Sequence, residues 1–189
     1  MPQPLGSNSL GNNPLENNAH ATLLTAVSKI TQVFAVGRPQ PLSSQQTAYL
    51  MPCMTAEAIA LYASLEKIAM AADFVLLPLT DMARENAKRD VPLIGLTKQW
   101  LLFATASNGD AWLVRKHLQG TEIGFLNHAQ GQAAIAQPLS IDFEQWLQLA
   151  YLMHQLEMRM ITPTKAEVYL AMNSLHPSLP QRFPYNING

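Results

Sequence analysis

The sequence predicts an α+β domain: a small antiparallel sheet centred on a hairpin at residues 100–116, flanked by helices on one face. Three observations carry this. Two short apolar runs, Trp100 to Ala106 and Ala111 to Val114, are separated by Ser107-Asn108-Gly109-Asp110, and Asn-Gly between such runs is the strongest short-range hairpin signal. Apolar residues recur at helical spacing before the hairpin (Leu23, Val27, Ile30, Phe34; then Ile59, Tyr62, Leu65, Ile68) and after it (Phe143, Trp146, Leu147, Ala150, Met153, Leu156). At 189 residues and 48% hydrophobic content, the chain can bury one core of ordinary size.

Taken in order, residues 1–18 are rich in Asn, Pro, Gly and Ser and read as a disordered arm. A single domain is expected over 19–175. Its first helix starts near His20 and ends at Gly37. Ser43 or Ser44 can cap a short helix through Tyr49, limited by Pro52; Thr55 can cap the next, which the spacing carries to about Ala72. Phe74 to Leu79 reads as a strand, with Pro78 placing it at an edge or a strand end. Thr80 to Asp90 is polar and mixed in sign, as in a solvated helical turn or loop. After the hairpin, with a type I′ turn at Asn108-Gly109, come a turn at Gly120 and a third strand at 122–127. A turn at Gln130-Gly131 and a short fourth strand at 133–136 follow. Ser140 can cap the long helix, and Thr162-Pro163 begins another. The prolines from His176 to Tyr185 forbid regular helix, so 176–189 reads as an extended tail with exposed aromatics.

Composition excludes several classes. The net charge of −1 provides no global field for nucleic acid or an anionic membrane, and the basic residues are dispersed. Charged residues make up only 13%, low for a soluble domain, and a weakly charged surface is one that partners often cover. The single cysteine, Cys53, sits in apolar Leu50-Met-Pro-Cys-Met54; it rules out an internal disulfide and a cysteine-based zinc cage, and reads as buried and inert. Met1 to Asn8 lacks the basic and apolar stretches of a secretory leader. No apolar run reaches the ~18 residues of a membrane span. The cytosol is the compartment these features suggest.

Catalytic signatures are weak. His20, His117, His128, His154 and His176 could each act as a base, but no Gly-x-Ser-x-Gly elbow accompanies them. No histidine pair has helical ligand spacing with a carboxylate, and no phosphate-cradling Gly-x-x-x-x-Gly-Lys is present. Asp110 follows a turn, where aspartate is common for backbone reasons. Trp100, Trp112 and Trp146 read as core residues rather than base-stacking platforms. No cofactor is implied.

The segment from about Pro39 to Leu149 resembles the SUKH superfamily, which includes fungal cell-wall-assembly regulators and many bacterial immunity proteins. The resemblance lies in the order of its motifs. These are the short helix Leu42 to Leu50, the step Met51-Pro52, the helix ending Ile59-Ala-Leu-Tyr62, and the strand Phe74 to Leu79. After a variable insert come the hairpin with Asn108-Gly-Asp110, then Gly124-Phe-Leu-Asn-His128, then the closing helix from Ile141 to Leu149. The chain departs from the pattern where Glu66-Lys67-Ile68 continues a helix in place of Asn-Gly, and in its longer tail beyond Leu156. The resemblance implies a binding protein rather than an enzyme: an immunity protein that neutralises a cognate toxin, encoded by an adjacent gene, by stoichiometric occlusion. The alternative from the residues alone is a small-ligand-binding protein or enzyme with an unrecognised pocket. No partner residue carries over from the family. Within the insert from Thr80 to Lys98, however, Asp81, Glu85 and Asp90 could mimic phosphates toward a basic nuclease cleft. The plainer reading pairs them with Arg84, Lys88 and Arg89.

Overall fold

The computed structural model describes residues 23–34, 41–65, 69–88, 100–118 and 120–187. The expected arm at 1–18, Gly37, Ile68 and the segment holding Asp90 lie outside them. The fold is α+β: a six-stranded antiparallel sheet in the order β1 to β6 of the chain, with its principal helix across one face. The strands are β1 (Ala69–Ala71), β2 (Phe74–Leu76), β3 (Leu101–Thr105), β4 (Ala111–His117), β5 (Gly120–Leu126) and β6 (Gln137–Pro138). Chain neighbours are sheet neighbours throughout, and the short β1–β2, β3–β4 and β4–β5 connections are the ones that local turn signals can place, whereas the β2–β3 connection spans residues 77–100.

Helices α1 (Val27–Phe34), α2 (Ser44–Leu50) and α3 (Ala56–Ser64) precede the sheet. Ser43 caps α2 in a reciprocal box with Gln46, which satisfies two backbone donors, and Thr55 caps α3 by accepting from Ala58 N–H, as expected. The helix predicted to reach Ala72 stops at Ser64 instead. Leu65 turns extended, and Ala69–Ala71 leaves to pair with β2. Alanine and methionine favour helix locally, but ladder hydrogen bonds and burial of Met70 override a preference of a few tenths of a kcal/mol per residue. The strand expected over Phe74 to Leu79 ends at Leu76, so Pro78 falls two residues past it and Leu79 already begins the next helix.

The central hairpin forms where it was expected, but its turn differs from type I′. Gly109 has φ +92°, whereas Asn108 is not among the residues with positive φ. Ala106 N–H donates to Asp110 C=O at 2.9 Å and Gly109 N–H to Ala106 C=O at 3.1 Å. The loop is therefore three residues long, with glycine alone in the left-handed position, the other common hairpin geometry. Asn108 keeps ordinary backbone because its side chain is used: its Oδ1 accepts from Asp110 N–H and its Nδ2 donates to the Asp110 carboxylate.

A bulge at Phe103 in β3 sends Leu101, Phe103 and Ala104 to the same side as Trp112, Val114, Ile123 and Phe125. This face meets α5 (Phe143–Glu157), whose Phe143, Trp146, Leu147 and Ala150 are buried against it. The cap of α5 is Asp142, in a box with Gln145; Ser140, the expected cap, has φ +60° and lies two residues earlier. Likewise α6 (Lys165–Leu175) is capped by Thr164 with Glu167 rather than starting at Thr162-Pro163. The predicted strand at 133–136 is a correction too. A 3-10 helix runs from His128 to Ala133, and β6 forms at Gln137–Pro138, where the chain regains Gly124 and Phe125 as partners.

The opposite face of the sheet carries a smaller cluster of Leu102, Ala111, Leu113 and Leu126 with Ala134 and Ala136. Trp100 lies across it: a Cβ on Gly124 would come within 2.8 Å of the Trp100 ring, so the absence of a side chain at 124 lets the indole approach the strand. The Arg115 guanidinium sits 4.4 Å from the same ring's centroid and is held by Glu122 at 2.6 Å.

The C-terminal residues correct the expectation of an extended, exposed tail. Leu179–Arg182 forms a short helix, α7, with Pro180 near its start, where the missing N–H costs nothing; Leu179 is fully buried. Tyr185 then inserts among Phe125 (5.6 Å between centroids), Phe183 (5.7 Å), Trp112 (6.2 Å) and Phe74 (6.5 Å), mostly edge-to-face. The prolines exclude long helix, but they do not exclude packing.

Candidate functional site

Four places on this fold have the makings of a site. The first is the insert. Leu79–Lys88 forms helix α4, which turns Met82 into the core. Its Asn86 side chain donates to the Leu102 carbonyl and accepts from the Leu102 N–H, at 2.8 and 2.9 Å. It thereby continues the β3 edge beyond the end of β2, a side-chain substitute for a strand. With Met82 and Asn86 facing inward, Asp81, Arg84, Glu85 and Lys88 lie outward. Arg84 meets Asp81 at 2.9 Å and Lys88 meets Glu85 at 3.0 Å. The hydrogen bond from Lys88, with help from Arg84, holds the Glu85 carboxyl below its usual range. Two of the three predicted partner-binding carboxylates thus share one charge-balanced face, each paired within its own helix; the third, Asp90, lies outside the described residues.

The second place is the end of the sheet where Asp110 and His128 meet. Asp110 is 4% exposed. Its Oδ1 accepts from the His128 backbone N–H at 2.9 Å and lies 2.8 Å from His128 Nδ1, while Oδ2 takes Asn108 Nδ2 at 2.7 Å. Burial raises the Asp110 pKa, but the hydrogen bonds from His128 and Asn108 prevail and bring it below normal. A carboxylate orienting Nδ1 of an exposed imidazole is half of a general-base arrangement. The other half is not assembled: the nearby Ser107 hydroxyl donates to Asp73 at 3.1 Å, not to His128. Asp110's contacts with Asn108 brace the hairpin turn and those with His128 tie it to the end of β5, which is a structural task. Among the other histidines, the His154 ring bonds the Met70 carbonyl and so pins β1 to α5.

The third place is the far end of the sheet. There the β4–β5 hairpin turns at Leu118, which is 93% exposed with φ +51°. Beside it in sequence, Lys116 borders an apolar groove of about 310 Å³ between α2 and α3, lined by Leu42, Met51, Met54, Ile59 and Ala60 among others. Met51 is half exposed there. Cys53 is buried close by; burial raises its thiol pKa, opposed by Lys116. Sequence reading missed Leu118, because leucine is the wrong residue for a left-handed turn and gives no turn signal.

The fourth is a cleft of about 480 Å³ where the β1–β2 turn, the end of α5, the start of α6 and the C-terminal residues converge. Its walls include Phe74, Leu156, Val168 and Phe183, and its polar groups are Asp73, Glu157, Lys165 and Asn186. Among the described residues no group of three or more His, Cys, Asp or Glu is placed to hold a metal ion, and no helix is long and apolar enough to cross a membrane. No family model matches the chain, and no curated protein or solved structure matches it.

Proposed function

We propose that this protein is a binding protein of the immunity type, which occludes a cognate toxin one-to-one in the cytoplasm. The observation that carries the reading is Leu118. A leucine at positive φ costs roughly 1–2 kcal/mol over an ordinary conformation, and here it gains nothing from burial. Strain held at an exposed apolar tip is the expectation for a side chain used by a partner. Lys116, on β4 two residues before Leu118, borders the apolar groove that Met51 also lines, a pocket with a rim charge of the kind that anchors protein interfaces. The order of elements from α2 to α5 also agrees with the order that the resemblance to SUKH proteins rests on.

The paired carboxylates of α4 contribute by changing partners. Met82 and Asn86 fix the helix to the sheet, so Asp81 and Glu85 are presented on a rigid support, and a basic partner would exchange with Arg84 and Lys88 for them. Reversing Asp81, Glu85 and Asp90 to lysine is expected to weaken toxin binding at least tenfold, or ~1.4 kcal/mol, at low salt and with the fold preserved. Unchanged affinity at low salt would place the contact elsewhere.

The test of the reading itself is co-expression with the product of the adjacent gene. A complex that survives gel filtration, together with restored growth of cells making the toxin, supports it. A toxin that stays active beside folded, unbound protein contradicts it.

A further inference from the structure

We infer that the cleft between the β1–β2 turn and the C-terminal residues binds an organic cation with a hydrocarbon body. The charged end would lie between Asp73 and Glu157, and the body against Phe74, Leu156 and Val168. This inference is independent of the toxin-binding reading.

Size comes first. At about 480 Å³ the cleft falls within the ~300–1,000 Å³ of small-ligand sites, and its wall is mostly apolar. Charge decides the class. Asp73 and Glu157 supply two carboxylates against one cation, Lys165, whose ammonium lies 5.7 Å from the centroid of Tyr169, a ring outside the cleft lining. Glu157 is the last residue of the fifteen-residue α5, whose C-terminal carbonyls add to the negative potential. The opposing positive end of α6 is already answered by Glu167, whose carboxylate accepts from both the backbone and the hydroxyl of its cap Thr164.

Acceptor capacity is also left over. Among the described residues, the two Glu157 oxygens share a single N–H, that of Ala72, at 3.1 and 3.0 Å. Among the described residues, Asp73 Oδ1 takes only the Ser107 hydroxyl. An ionised carboxylate has about four acceptor positions, so both can receive further N–H donors. An anionic ligand would meet two carboxylates here, and a neutral one would leave their capacity unused.

An ammonium or guanidinium on a hydrocarbon stem can come from a free amine or from a lysine or arginine of a peptide. The experiment takes both as probes against the full chain, followed by the methyl resonances of Val168 and Ile187. Phenylbutylamine is compared with phenylbutanoate, and an acetylated Leu-Lys-Leu amide with its Leu-Glu-Leu counterpart. We expect at least one basic probe to bind tenfold more tightly than its acidic partner. The double variant Asp73→Asn, Glu157→Gln should abolish that preference. Glu157→Gln keeps an oxygen for the Ala72 N–H, and the melting curve checks the fold. Preference for the amine alone identifies a free ligand as the source; preference for the peptide alone identifies a partner's side chain. Equal binding of acid and base to the unaltered chain, or no shift of these methyls at millimolar probe, overturns the inference whatever the variant does.

Discussion

Gly109 stands at φ +92° with the His128 ring 3.5 Å from where a Cβ would be. Valine at this position would be strained by its backbone before it met the imidazole, so Gly109→Val is expected to lower stability by more than ~1 kcal/mol in urea unfolding. Asp110 gives a pH test. Its folded-state pKa lies below the usual 3.8, so its contribution is fully present above that value and is lost as pH falls through the lower folded one. The melting temperature of Asp110→Asn should therefore fall less steeply than that of the unaltered protein on acidification below about pH 4. Leu118 separates stability from function. Asparagine tolerates the left-handed region, so Leu118→Asn should raise stability by up to ~1 kcal/mol while weakening partner binding. If it binds the partner as well as the parent does, the hairpin tip is not part of the interface.

At the scale of elements, Asn86 joins α4 to β3. Asn86→Ala removes both hydrogen bonds and leaves the Leu102 N–H and C=O without partners, so it should cost about 1–3 kcal/mol by denaturant unfolding. This contact could not be read from the sequence, because it depends on β2 ending before β3 does. What could be read was local: the caps at Ser43 and Thr55, the stripe of α5, and the two runs about Asn108-Gly109. Expectations failed where a distant partner decided the outcome. Ala69–Ala71 is a strand only because β2 lies beside it, and Asp142 displaced Ser140 as the cap once β6 fixed where the chain turns. The C-terminal segment failed for the same reason: prolines announce irregular backbone, but Tyr185 is ordered by rings of Phe74, Trp112 and Phe125 that lie far off in sequence. Tyr185 is partly buried against the core, so Tyr185→Ala should cost about 2 kcal/mol, less than the ~3–5 kcal/mol for emptying a fully buried aromatic site.

For the whole molecule, one antiparallel sheet lies between α5 on one side and the smaller cluster beneath Trp100 on the other. Its two ends differ in character. At one, Asp110, His128 and Asp73 hold turns together through hydrogen bonds, whereas the other carries Leu118 exposed at a hairpin turn. The candidate site was only partly legible beforehand. The charged insert was visible as composition, and the structure arranges it into a paired helical face; the Leu118 tip and the cleft arise from tertiary placement. A stoichiometric inhibitor and an enzyme acting on the toxin or its product make opposite demands on dose. The most direct measurement is therefore the toxin's activity titrated with this protein at a toxin concentration well above the dissociation constant. Binding by occlusion predicts a straight fall to zero activity at one equivalent. Loss of activity that continues with time at a small fraction of an equivalent, or no loss at any ratio, would contradict it.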